Sequence, residues 1–274
     1  MSIAWACSSR HTHEGVTLMV SVEPQRWLLE QLVDTGAVGI QTMLTRGADP
    51  ETFEPTMRQR GDASAAEIYF ATGALPFEKN LANATRNFVD TSAGIEPVFG
   101  THGHSHADDS DGHDGAPDPH VWTSVSGART IARNMATALT ETFPASAADI
   151  KKRLEKLEIK LDSIDTATAD KLKNSHNTAF AIWHPSLSYF ARDYGLHQIA
   201  VGQENKEMSA RQMREVIDHA TADSVHVLFF QKEYDIRQAR TINDALGSRL
   251  VIIDPLDYQW EKQITLIADE LSRP

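Results

Sequence analysis

The sequence predicts an α/β protein of two lobes, each a mostly parallel sheet flanked by helices, with one long helix joining them. Three observations carry this expectation. Short apolar runs of strand length alternate with helical stretches through both halves of the chain, the pattern of parallel α/β architecture. A long amphipathic stretch at residues 146–174 separates the two halves. The length, 274 residues, suffices for two medium domains that each bury a core.

In the first half, residues 16–22 read as a strand and 24–33 as a helix with Pro24 in its first turn. Residues 38–44 and 68–71 follow as strands. In the second half the strand expectations are 178–183, 198–201, 225–230 and 250–253, with helices at 210–219, 236–245 and 261–271. Between the halves, Ile150, Leu154, Leu157, Leu161 and Ile164 recur at alternating helical spacings and share one face, with charges opposite. Ser146 with Asp149 three residues on offers a capping start. A helix of about 27 residues would span roughly 40 Å, enough to run along both lobes. The same heptads admit a short coiled coil, but too few are kept for a sustained seam. The expected organisation is a tail at 1–15, an N-terminal lobe at 16–145, the linking helix at 146–174 and a C-terminal lobe at 175–274.

Composition narrows the partners. Lys and Arg number 26 against 38 Asp and Glu, a formal charge of −12. That balance opposes nucleic acid and anionic lipid and favours cations or a basic protein surface. No apolar run approaches the roughly 18 residues that a membrane-spanning helix needs. Cys7 is the single cysteine, so no intrachain disulfide forms. Its context, Ile3-Ala4-Trp5-Ala6-Cys7-Ser8-Ser9, resembles the end of a bacterial lipoprotein signal. On that reading the mature protein is exported and tethered by lipid at Cys7; the alternative is an ordinary tail cysteine.

The stretch from Thr101 to His120 concentrates the chemistry. It carries His102, His104, His106, His113 and His120 among Asp, Gly and Ser, with no Leu, Ile, Val, Met or aromatic residue. Residues 101–119 therefore read as a solvated loop, and clustered imidazoles and carboxylates share one chemistry, divalent-cation binding. A plain polar linker would have the same composition.

Four places, one of them the end of that stretch, share a local design: Asp49-Pro50-Glu51, Asp118-Pro119-His120, His184-Pro185 and Asp254-Pro255. Each puts a candidate metal donor beside a proline, which restricts the neighbouring backbone. Glu51, His184 and Asp254 follow expected strands, and in open α/β sheets the carboxyl ends of strands border the ligand crevice. A cleft between two lobes would collect Glu51 and His120 from one side and His184 and Asp254 from the other. Two neutral imidazoles and two carboxylates give four ligands whose charge cancels a divalent ion. Singly, each residue reads as readily as a structural histidine or a turn aspartate. Glu233 also follows a strand and could reach the crevice, or could pair with Lys232 or Arg237 at the surface. Trp183 and Tyr189 are expected to wall the site.

With these motifs the chain resembles the metal-binding solute receptors of bacterial ABC importers, the zinc and manganese cluster. The resemblance rests on Val20-Ser21-Val22-Glu23-Pro24, Gly47-Ala48-Asp49-Pro50-Glu51-Thr52-Phe53-Glu54-Pro55 and Gly73-Ala74-Leu75-Pro76-Phe77-Glu78. It continues through Asp118-Pro119-His120-Val121-Trp122-Thr123-Ser124, Trp183-His184-Pro185-Ser186-Leu187-Ser188-Tyr189-Phe190-Ala191 and Asp254-Pro255-Leu256. It implies a monomeric receptor, outside the cytoplasm, that holds one metal ion between two lobes and hands it to a membrane ABC permease. The ligands it implies are Glu51, His120, His184 and Asp254. The first position is commonly histidine in that family, and here it is Glu51, which hardens the site toward manganese or iron(II). The histidine-rich loop pulls the other way, and zinc is the expected ion with manganese as the alternative. The loop histidines would then make weak secondary contacts.

Two other functions compete. A zinc hydrolase would use Glu51 as general base on a metal-bound water, but the chain lacks His-Glu-x-x-His and a closed four-ligand site leaves no room for substrate. A metal buffer would share the site and lack only a docking surface. The expectation is a receptor, not an enzyme.

Overall fold

The computed structural model describes residues 15–99, 117–173, 175, 177–202, 208–232 and 234–273. Two four-stranded parallel sheets form its centre. The N-terminal sheet comprises β1 (Thr17–Val20), β2 (Gly39–Thr42), β3 (Ile68–Ala71) and β4 (Phe88–Asp90), in the order β2-β1-β3-β4. The C-terminal sheet comprises β5 (Ala179–Ile182), β6 (His197–Ala200), β7 (Val227–Gln231) and β8 (Arg249–Ile253), in the order β6-β5-β7-β8. The two orders are topologically the same. In each, the strand order reverses between the first and third strands, β1 and β3 or β5 and β7, which opens a crevice at the carboxyl ends.

The inner strands β3, β5 and β7 are buried throughout, so their sequences run apolar without alternation, as strands covered on both faces must. Edge strands β2 and β6 are partly exposed and carry polar residues. Helices α1 (Glu23–Leu32), α2 (Met57–Ala65), α3 (Glu78–Leu81) and α4 (Val125–Thr142) belong to the first lobe; α6 (Ser188–Tyr194), α7 (Ala210–Ala222), α8 (Ile236–Leu246) and α9 (Trp260–Ser272) belong to the second.

Between them runs α5 (Ala147–Lys173), 27 residues long, entered from a 3₁₀ turn at Pro144–Ser146. Its apolar face buries Ile150, Leu157, Leu161 and Ile164, with Leu154 half-buried against the same core. That face packs on α1, α4 and α9, helices of both lobes, so the stripe is a core seam and not a coiled coil. One continuous apolar core therefore takes in Leu18 and Phe70 of the first sheet, Leu161 of α5, Phe229 of the second sheet and Ile267 of α9. A smaller core lies on the far side of the second sheet, where Trp183 packs on Phe230 with ring centres 5.7 Å apart.

The candidate metal centre

Each donor is placed by a local device that the proline motifs only hinted at. Asp49 Oδ1 accepts the Glu51 backbone N–H at 2.9 Å, and Asp118 Oδ1 accepts that of His120 at 2.8 Å. These are Asx turns, in which an aspartate carboxylate caps the backbone two residues on. The turn at His120 leads into a 3₁₀ helix, Val121–Thr123, and then into α4, whose N-cap Ser124 accepts Gly127 N–H at 3.0 Å. Gly127 is required here: a Cβ would lie 2.0 Å from the Val121 carbonyl oxygen. On the other lobe, His184 follows β5. Gln231, at the end of β7, brackets its backbone by accepting His184 N–H at 3.2 Å and donating to His184 C=O at 2.6 Å.

These devices bring Glu51, His120 and His184 together, with one ligand atom of each lying within 4.8 Å of the others. Glu51 Oε1 is 3.3 Å from His184 Nε2 and 3.9 Å from His120 Nε2. Four donors around a tetrahedral ion at about 2.0–2.1 Å sit roughly 3.4 Å apart, so the three are near bonding distance of a common centre. The imidazole rings stand edge to face with centres 5.1 Å apart. Both histidines are buried and the glutamate is about one-fifth exposed.

The electrostatics favour a cation. Burial pushes the Glu51 carboxyl up, yet a hydrogen bond from His184 and the charges of His120 and His184 outweigh it and hold the group below the ordinary carboxylate value. Behind His120, Asp118 Oδ1 lies 2.8 Å from Nδ1. Its own pKa is raised by burial but lowered further by the charge and hydrogen bonds of His120, so it is depressed overall. A carboxylate on the far ring nitrogen fixes the tautomer that leaves Nε2 as the ligand atom. Tyr189 OH in turn donates to the Asp118 carbonyl at 2.9 Å.

Asp254, the fourth expected donor, follows β8, but its carboxylate pairs with Lys232, and it stands outside the three-donor group. Leu256 N–H donates to its other oxygen at 3.1 Å. Of the two residues expected to wall the site, Tyr189 supports Asp118, whereas Trp183 faces the second lobe's own core. Trp122 takes the expected tryptophan place, its ring centre 5.3 Å from that of His120. Tyr234 lies over His184 at 5.8 Å. Glu233, the loop histidines His102, His104, His106 and His113, and Cys7 lie outside the described residues.

Sequence reasoning missed the positioning roles of Asp118 and Gln231 and the pairing of Lys232. Asp-Pro-His is legible as an Asx turn; the other two are long-range contacts without a local signal.

Among known proteins, the chain is similar to the zinc-binding lipoprotein AdcA of Streptococcus pneumoniae, 22% identical over 276 residues that cover 94% of this chain and 53% of that one. It is 23% identical over 244 residues to the zinc-binding protein AdcA of Streptococcus pyogenes, covering 82% of this chain and 47% of that one. The chain thus spans about half the length of these streptococcal relatives. A crystal structure of ZnuA superposes with a TM-score of 0.82 at 26% identity, covering 94% of this chain and 98% of that one. A mutant of the Mn-bound periplasmic metal binding protein of Candidatus Liberibacter asiaticus shares the fold, with a TM-score of 0.76 at 17% identity over 93% of this chain and 99% of that one. The model of the family described as ZnuA, the periplasmic component A of a zinc-uptake complex, matches residues 18–268. With a Glu-His-His centre at the mouth of two parallel sheets and a family match over nearly the whole described chain, this protein belongs to the ZnuA family of metal-binding solute receptors.

Proposed function

We propose that this chain captures a zinc ion between its lobes and delivers it to the permease of an ABC importer. The observation that carries the reading is the convergence of Glu51, His120 and His184 to within 4.8 Å across two lobes. Asp254 completes the set when the ion enters, giving two imidazoles and two carboxylates that neutralise a divalent cation. Imidazole donors and the histidine-rich segment favour zinc; the two carboxylates keep manganese as the second reading. The streptococcal relatives, zinc-binding by name, support the first, and the Mn-bound fold neighbour keeps the second in play.

Purified metal-free protein, titrated with zinc or manganese against a chelator of known affinity, is expected to bind one zinc tightly at this centre and manganese more weakly. Anomalous scattering at the two absorption edges from one crystal identifies the bound ion. Loss of the tight zinc in His120→Ala and His184→Ala supports the reading, and tight zinc retained in both would end it.

Three features complete the proposal. The protein acts as a monomer outside the cytoplasm, with Cys7 as the lipid attachment point. The lobes are residues 16–145 and 175–274 about the linking helix. His102, His104, His106 and His113 raise the local supply of zinc, so deletion of residues 102–116 is expected to slow zinc transfer while leaving the tight site intact.

A further inference from the structure

Strand register places a lysine on the fourth donor. In the β7–β8 pair Gln231 stands opposite Ile253, so the next residues on each strand, Lys232 and Asp254, emerge side by side at the carboxyl ends. The Lys232 ammonium donates to Asp254 Oδ2. The Asp254 side chain is 14% exposed while that of Lys232 is 58% exposed, so the carboxylate is the buried partner and the ammonium the solvent-facing one. Asp254 is further held by Gln263, whose Oε1 accepts its N–H at 3.0 Å.

The pair also abuts the metal centre through the chain. Gln231, one residue before Lys232, brackets His184. Pro255, one residue after Asp254, accepts a 2.9 Å hydrogen bond from Trp122, whose ring lies against His120.

We propose that Lys232 is an internal competitor for the metal: it occupies the Asp254 carboxylate in the empty receptor and is displaced when the ion takes that oxygen. The inference rests on Asp254 being the fourth ligand. Competition decides the consequence. The ammonium and the ion seek the same oxygen, and an ammonium retained beside a bound divalent ion repels it at close range. Lys232 therefore limits affinity, and by returning to Asp254 it speeds release. A cavity of about 280 Å³ lined by Lys232 and Asp254 gives the ammonium somewhere to go, since Glu23 and Asp257 border the same space. A lysine on a flexible four-carbon stem suits this exchange.

The test uses the full chain, titrated with zinc against a chelator, with release followed by stopped-flow chelation, in the wild type, Lys232→Met, Lys232→Arg and Asp254→Asn. Lys232→Met is expected to bind zinc about tenfold more tightly, an effect of roughly 1.4 kcal/mol, and to release it more slowly. The gain shrinks in high salt because the removed charge is partly exposed, and Lys232→Arg, which keeps the charge, returns affinity to near wild type. If Lys232→Met binds zinc equally or less tightly while Asp254→Asn weakens binding, the competitor role is overturned and the four-donor site stands. If Asp254→Asn binds zinc as the wild type does, the four-donor reading fails and the competitor role fails with it.

Discussion

At His120 one carboxylate does two jobs: Asp118 Oδ1 accepts both the backbone N–H and the ring Nδ1 hydrogen of the same residue, each at 2.8 Å. Backbone and imidazole are thus aimed by one side chain. Asp118→Asn, which is nearly isosteric, is expected to weaken zinc binding about 10–100-fold, the usual effect of losing a carboxylate behind a ligating histidine; competitive titration measures it. The same substitution should cost the metal-free protein about 1–3 kcal/mol at neutral pH. The sign in pH follows from the depressed folded pKa of Asp118. Its stabilising contribution is complete above the unfolded aspartate value, about 3.9, and is lost as pH falls through the lower folded value. Urea unfolding of wild type and variant should therefore differ at pH 7 and converge in strong acid, and a gap that persisted there would refute the assignment.

Among the elements, α5 decides how the lobes are held. Leu161 is fully buried on its apolar face, so Leu161→Ala is expected to cost about 2–5 kcal/mol, transfer and cavity contributions together. Ile159, on the solvent face, is 69% exposed, and Ile159→Ala should change stability by no more than about 0.5 kcal/mol. Denaturant midpoints of the two variants compare the faces directly. This helix was legible because its stripe persists for several turns, and of the eight strands among the described residues seven were legible as short stretches rich in apolar residues and bounded by turn residues. β4, only Phe88–Asp90, is too short to show a pattern. α2 carries no apolar stripe, since Ala63 is its one buried residue; its signal is the capping box of Thr56 and Gln59. α4 was missed although Ile131, Met135 and Leu139 are spaced for one helix face. Its glycine and several threonines weaken intrinsic helicity, and burial against α1 and α5 overrides that.

For the whole molecule, the lobes are joined by more than the helix. Trp122 and Trp260 exchange contacts, with Trp260 Nε1 donating to the Trp122 carbonyl at 2.6 Å, and Trp260 packs on Trp27 with ring centres 5.2 Å apart. Elsewhere between the lobes Ser126 donates to Asp193 at 2.5 Å and Arg192 donates to the Glu96 carbonyl at 2.8 Å. A spanning helix together with cross-lobe hydrogen bonds resists hinge bending. Metal-free and zinc-loaded protein should therefore show the same radius of gyration by small-angle scattering, with change confined to Glu51, Lys232 and their neighbours. A clear compaction on loading would point to hinge closure and against this reading.

The sequence by itself determined the α/β class, the long central helix and the chemical types of the donors, because apolar periodicity and Asp-Pro turns are local properties of the chain. It named the donors through their strand-end placement and the family resemblance, but the distances between them are not local properties of the chain. Glu51, His120 and His184 converge only because two separate sheets present their carboxyl ends to one cleft, and Asp254 is held by Lys232 only because β7 and β8 align Gln231 with Ile253. Convergence and competition are relations between residues far apart in the chain, and only packing brings such residues within range of each other.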